Sequence, residues 1–217
     1  MNGDTMQQTI AGITIPDTQL IAEATLLVRE VESDLLFHHS RRVFFFGALQ
    51  GRCRGLSPDL ELLYVGAMFH DLGLTASYGT LDHRFEVDSA NVARAFLVDH
   101  GITPEDATKT WTAVALHTTP GIPEFLSPEI ALVTAGVETD VLGIDYAELD
   151  PADIAAVTAA HPRPDFKRQI LAAFTDGNKN RPDTTFGNVN ADVLSHFLPG
   201  FKRTDFVNII NESPWAE

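Results

Sequence analysis

The 217-residue sequence predicts an all-α protein, a single-domain helical bundle, and three observations carry that expectation. Between positions 17 and 32 the apolar residues Leu20, Ile21, Ala24, Leu27, Val28 and Val31 recur at three and four, the stripe of a helix buried along one side. Four further helix starts share one grammar, a capping Ser, Thr or Asp, then proline, then acid: Ser57-Pro58-Asp59, Thr103-Pro104-Glu105, Ser127-Pro128-Glu129 and Asp150-Pro151-Ala152-Asp153. The capping oxygen accepts from free backbone amides, proline takes a first-turn position whose amide lacks a partner anyway, and the acids favour the positive helix end. Sustained period-two alternation is absent, which removes the strand signature.

In chain order, residues 1–16 are polar and turn-prone and end at Pro16, so they read as a loose tail before one domain over 17–217. Helices are expected near 17–32, 34–51, 57–72, 86–100, 104–117, 127–140, 151–159, 164–176 and 190–198. The third carries Leu60, Leu62, Leu63, Val65, Ala67, Met68 and Phe69, a largely buried run that stops at Gly73. The segment 75–86, with Gly79, His83 and Arg84, leaves directly from the end of that run and is the expected mouth of a site.

Bulk properties narrow the function. Thirty acidic against 15 basic residues give a formal charge of -15, which repels a phosphate backbone and disfavours nucleic-acid binding. Cys53 is the sole cysteine, so no internal disulfide forms, and Met1 to Gln8 lacks a basic segment followed by an apolar run. No apolar stretch approaches the roughly 20 residues that cross a bilayer. A cytoplasmic protein acting on a small molecule, with neither nucleic acid nor membrane as partner, is expected.

The chemistry starts at Met68-Phe69-His70-Asp71-Leu72-Gly73-Leu74-Thr75, where His and Asp stand side by side at the end of a buried helix. Alone, the pair reads as a capped helix end with a hydrogen-bonded His–Asp pair. In the last turn, however, an imidazole nitrogen and a carboxylate oxygen can converge on one ion. His39 lies 31 residues before His70 and Asp140 lies 69 after Asp71, so the order is H, then HD, then D. On spacing alone His38 serves as well as His39, and Asp140 with Glu138 and Asp145 also reads as an acidic cluster on a solvated face.

This order resembles the metal-binding pattern of the HD-domain superfamily of helical metal-dependent hydrolases, in which separate helices project ligands onto one ion. His39-Ser40-Arg41-Arg42-Val43-Phe44, Ala67 to Thr75, His83-Arg84-Phe85-Glu86 and His161-Pro162-Arg163-Pro164 look like the cyanamide hydratase branch. The resemblance selects His39 over His38, and it implies His39, His70, Asp71 and Asp140 as metal ligands. It implies one divalent metal, zinc first, with iron or manganese suited to the same donors.

A metal-bound water with its pKa lowered toward about 7 would supply hydroxide, and cyanamide hydration to urea is the implied reaction. Asp71 and His117 are the expected catalytic residues, His117 as a proton shuttle or second-metal ligand. Thr75, His83, Arg84 and Phe45 are expected at the substrate, with Glu86 behind a ligand histidine and His161 to Pro164 as a structural turn. The run Phe44-Phe45-Phe46 also suits a contact between subunits of a homo-oligomer. Two other functions compete. An HD-type phosphohydrolase is one, although Leu74 stands where an HDxGK pattern has lysine; a non-catalytic metal-binding module is the other.

Overall fold

The computed structural model describes residues 8–215 and is all-α apart from one short hairpin. Its helices are α1 (Gln19–Val31), α2 (Asp34–Arg54), α3 (Leu60–Phe69), α4 (Phe85–Asp99), α5 (Pro104–Leu116), α6 (Pro128–Val137), α7 (Pro151–Ala160), α8 (Phe166–Asn178), α9 (Asn190–Phe197) and α10 (Phe206–Asn211).

The caps follow the expected grammar with two corrections. Thr103 accepts from the amide of Asp106 and Asp150 from that of Ala152, so α5 and α7 begin where the proline motifs place them. Helix α3 begins later than Ser57, because Asp59 is the better acceptor: its Oδ1 takes the amides of Glu61 and Leu62 at 2.8 and 3.2 Å. Ser127 makes no capping bond, and the acid of α6 works elsewhere, with Glu129 accepting the amide of Asp59 at 2.9 Å.

The expected loose tail is corrected over its described part. Strands β1 (Thr9–Ile10) and β2 (Ile13–Thr14) pair Thr9 with Thr14 and Ile10 with Ile13. Ala11 and Gly12 both take positive φ, the backbone that a two-residue hairpin turn requires. Ile10, Ile13 and Ile15 then join the core, and that burial holds the segment down. Residues 1–7 lie outside the described part. The short helix α10 was not foreseen in the sequence.

The bundle centre is α2, which is buried on nearly every side from His39 to Gly51. It lies tight against α6. A Cβ on Gly47 would meet the Leu132 carbonyl oxygen at 2.5 Å, and one on Gly136 would strike that of Val43. Only glycine at both crossings allows the backbones so close, and this approach carries the end of α6 toward His39.

Candidate metal centre

Helix α2 presents His39 from its first half, while α3 ends at Phe69 with His70 and Asp71 turning inward behind it. One donor atom from each of these three buried residues lies within 4.8 Å of the other two. His39 Nε2 is 3.2 Å from His70 Nε2, which is 3.2 Å from Asp71 Oδ2. The opposite nitrogens are already committed. His70 Nδ1 donates to the Ala67 carbonyl at 2.6 Å and His39 Nδ1 donates to Asp140 Oδ2 at 2.7 Å. In the neutral rings both Nε2 lone pairs therefore face each other and the carboxylate.

A third imidazole completes the group. His117, at the end of α5, gives its Nδ1 proton to the Val114 carbonyl at 2.6 Å and brings Nε2 to 3.7 Å from Asp71 Oδ1. Neither oxygen of Asp71 nor Nε2 of His117 has a hydrogen-bond partner among the described residues, although all three atoms are buried. Leaving such groups unpaired costs about 1–3 kcal/mol each, more for a charged one. Converging lone pairs and an unpartnered carboxylate fit a divalent cation of the zinc, iron or manganese kind.

Asp140 sits one layer behind. It lies in a π-turn, Glu138–Leu142, that continues α6, and its carboxylate is held from both sides. The fully buried guanidinium of Arg42 makes a forked contact through Nε to Oδ1 at 2.8 Å and Nη2 to Oδ2 at 2.9 Å, and Arg163 Nε reaches Oδ1 at 3.1 Å. The expectation of a fourth metal-facing oxygen meets a different arrangement here, in which Asp140 orients His39 through Nδ1. Two arginines compete for its oxygens and hold them there. Arg42 also donates to the carbonyls of His161 and Pro162, which explains the His161–Pro164 turn as a strut.

Charge follows this geometry. Burial works to raise the pKa of Asp71, but His70, His39 and His117 outweigh it and hold the carboxyl well below the usual range. Asp140 is likewise low, burial being outweighed by His39 and Arg42. Desolvation lowers His117 to about 4, so it stays neutral with a free acceptor nitrogen. Burial also lowers His39, whereas in His70 the Asp71 carboxylate overcomes desolvation and the pKa rises.

The sequence profile of the HD domain matches residues 36–165, from the start of α2 to the threshold of α8. The chain belongs to the HD domain family. Within this HD domain the matched span contains His39, His70, Asp71, His117 and Asp140, and metal-dependent hydrolysis is the chemistry of the family. No curated protein matches the chain.

Open space is found at the expected mouth, a cavity of about 300 Å³ lined by Leu74, Thr75, Gly79, Thr80 and Arg181, and a second cavity lies on another side. The second, of about 220 Å³, touches His117 and is walled by the end of α6, the π-turn, α8 and α9. None of Thr75, His83, Arg84 or Phe45 lines it. Phe45 is fully buried and stacks on His161 at 5.6 Å between centroids, because all three phenylalanines of the run are needed in the core. That burial also removes the run from any contact between subunits. His83 pairs with Asp88 at 3.2 Å, and Arg84 is drawn onto the buried Glu86 at 3.1 Å. Thr75 turns its hydroxyl onto the Leu72 carbonyl at 2.6 Å. Glu86 itself accepts from Arg84, Thr118 and Asn190 rather than from a histidine.

One buried acid was not anticipated. Glu32 caps the end of α1, is 7% exposed, and has only Ser40 Oγ at 3.4 Å for a partner, with Oε1 unpaired. Burial, with the Asp71 charge nearby, pushes its pKa well above the ordinary carboxyl value. Nothing in the local sequence distinguishes it from the exposed acids around it.

Proposed function

We propose that this HD domain is a metal-dependent hydratase or hydrolase of a small neutral molecule, and that its reaction is addition of water to a nitrile, with cyanamide as the reference substrate. One observation carries the reading: the unpartnered Asp71 oxygens, the free Nε2 of His117 and the facing Nε2 atoms of His39 and His70 surround one buried point. A divalent cation there, zinc in the first instance, supplies Lewis acidity and lowers the pKa of neighbouring water toward about 7.

The protein's own groups divide the remaining work. His39, His70 and Asp71 would hold the cation, and the Arg42–Asp140 pair keeps the His39 ring turned inward. Neutral His117 has spent its Nδ1 proton on Val114, so Nε2 takes a proton from water and returns it to the substrate nitrogen. The hydroxyl oxygen bonds to the nitrile carbon while that proton goes to nitrogen, and the resulting isourea tautomerises to urea. No atom is left over.

Membership of the family supports a second reading, phosphate-ester hydrolysis. Against it, no lysine or arginine among the described residues lines the cavity beside His117, and Arg42 and Arg181 are fully engaged by protein acceptors. Elemental analysis of the purified protein, run with urea and ammonia detection on cyanamide and phosphate detection on a nucleotide panel, tests both. Urea formation by protein with about one ion per chain is expected. Phosphate release without urea overturns the first reading in favour of the second, and a bound ion with no turnover of either class favours a binding module.

A further inference from the structure

We infer that the cavity beside His117 takes a neutral molecule with a short hydrocarbon body, larger than bare cyanamide. The inference rests on the hydratase reading for its reaction and on the cavity alone for its ligand class. The walls are Val141, Ile170, Phe174, Val189 and Val193, with Leu142 and Leu171 at the rim. At about 30 Å³ per water-sized group, the 220 Å³ cavity holds about seven non-hydrogen atoms. Cyanamide would leave most of it empty, so an apolar chain is what the space selects.

The polar residues in that wall are few: His117, Thr118, Glu138 and Asn190. His117 Nε2 is unpartnered, and so is Oδ1 of the buried Asn190. The Asn190 amide is fixed by its other end, because Nδ2 donates to Glu86 Oε1 at 3.1 Å, an oxygen also held by Thr118 and Arg84. The ionisable side chains on the cavity are His117 and the acid Glu138, so an anionic ligand finds no counter-charge there.

The test is calorimetric binding of acetamide, hexanamide and hexanoate to the zinc-loaded protein. Each added CH₂ contributes about 0.8 kcal/mol on burial, so hexanamide is expected to bind on the order of 100-fold more tightly than acetamide, with hexanoate far weaker. Leu171 is 37% exposed at the rim, and the ring of Leu171→Trp should reduce the chain-length advantage. Equal affinity of wild-type protein for acetamide and hexanamide overturns the inference, as does preference for hexanoate. The wild-type series decides the question even where the variant fails to fold. A chain-length trend without cyanamide turnover leaves the pocket standing and removes the hydratase reading, and turnover without the trend does the reverse.

Discussion

Asp140 Oδ2 lies 2.7 Å from Nδ1 of His39, and the same carboxylate is forked onto Arg42, so one acid links a metal-facing imidazole to a fully buried guanidinium. Asp140→Asn keeps an acceptor but weakens the hold on His39, and zinc affinity is expected to fall about 10–100-fold in a chelator competition. Asp140→Ala leaves Arg42 charged and unpaired in the interior, and denaturant unfolding should show a loss of about 3–5 kcal/mol.

His70→Ala and Asp71→Ala each remove a donor from the centre itself. Both variants should emerge from purification without the metal, as measured by elemental analysis against wild-type protein.

His117→Ala separates binding from turnover. With His39, His70 and Asp71 intact, metal content should stay near the wild-type level while the rate falls about 10²–10⁴-fold, the usual contribution of a positioned acid–base group. Full activity in this variant would remove His117 from the mechanism.

Glu32 predicts a pH signature in the metal-free protein. Its folded pKa is raised above the ordinary 4.5, so the stability tied to its neutral form is present below that value and lost as pH rises through the folded pKa. Glu32→Gln keeps the neutral state at every pH. Thermal midpoints of variant and wild type should therefore coincide near about pH 4 and diverge in favour of the variant toward about pH 8.

Gly136→Ala tests the contact that brings α6 to the centre. The added methyl would meet the Val43 carbonyl, and rigid backbone on both sides leaves it little room. A loss of about 1–3 kcal/mol, the usual cost of overpacking, is expected in chemical denaturation.

Helix starts were legible because a cap, a proline and an acid act within a few residues of one another. Thr103 and Asp150 behave as that local chemistry dictates, and Ser57 fails because Asp59, two positions on, accepts better. The cluster of His39, His70 and Asp71 was legible from the family resemblance. The role of Asp140 was not, since Arg42 meets it across 98 residues and no spacing rule reports such a pairing. The cavity beside His117 was not foreseen either. Thr75 to Glu86 adjoins the HD pair in sequence, where Asp88 and Glu86 hold His83 and Arg84, whereas this cavity falls between α6, α8 and α9. The hairpin at Thr9–Thr14 carries Ala-Gly in place of the Asn-Gly that normally signals such a turn.

The profile match ends at residue 165, whereas Ile170, Phe174, Asn190 and Val193 all come after it. Every imidazole and carboxylate around the buried point thus belongs to the shared part of the chain, and much of the enclosure belongs to helices α8 and α9 beyond it. On the proposed reading, a graft of residues 166–198 onto a relative would change what the cavity admits without touching the reactive centre.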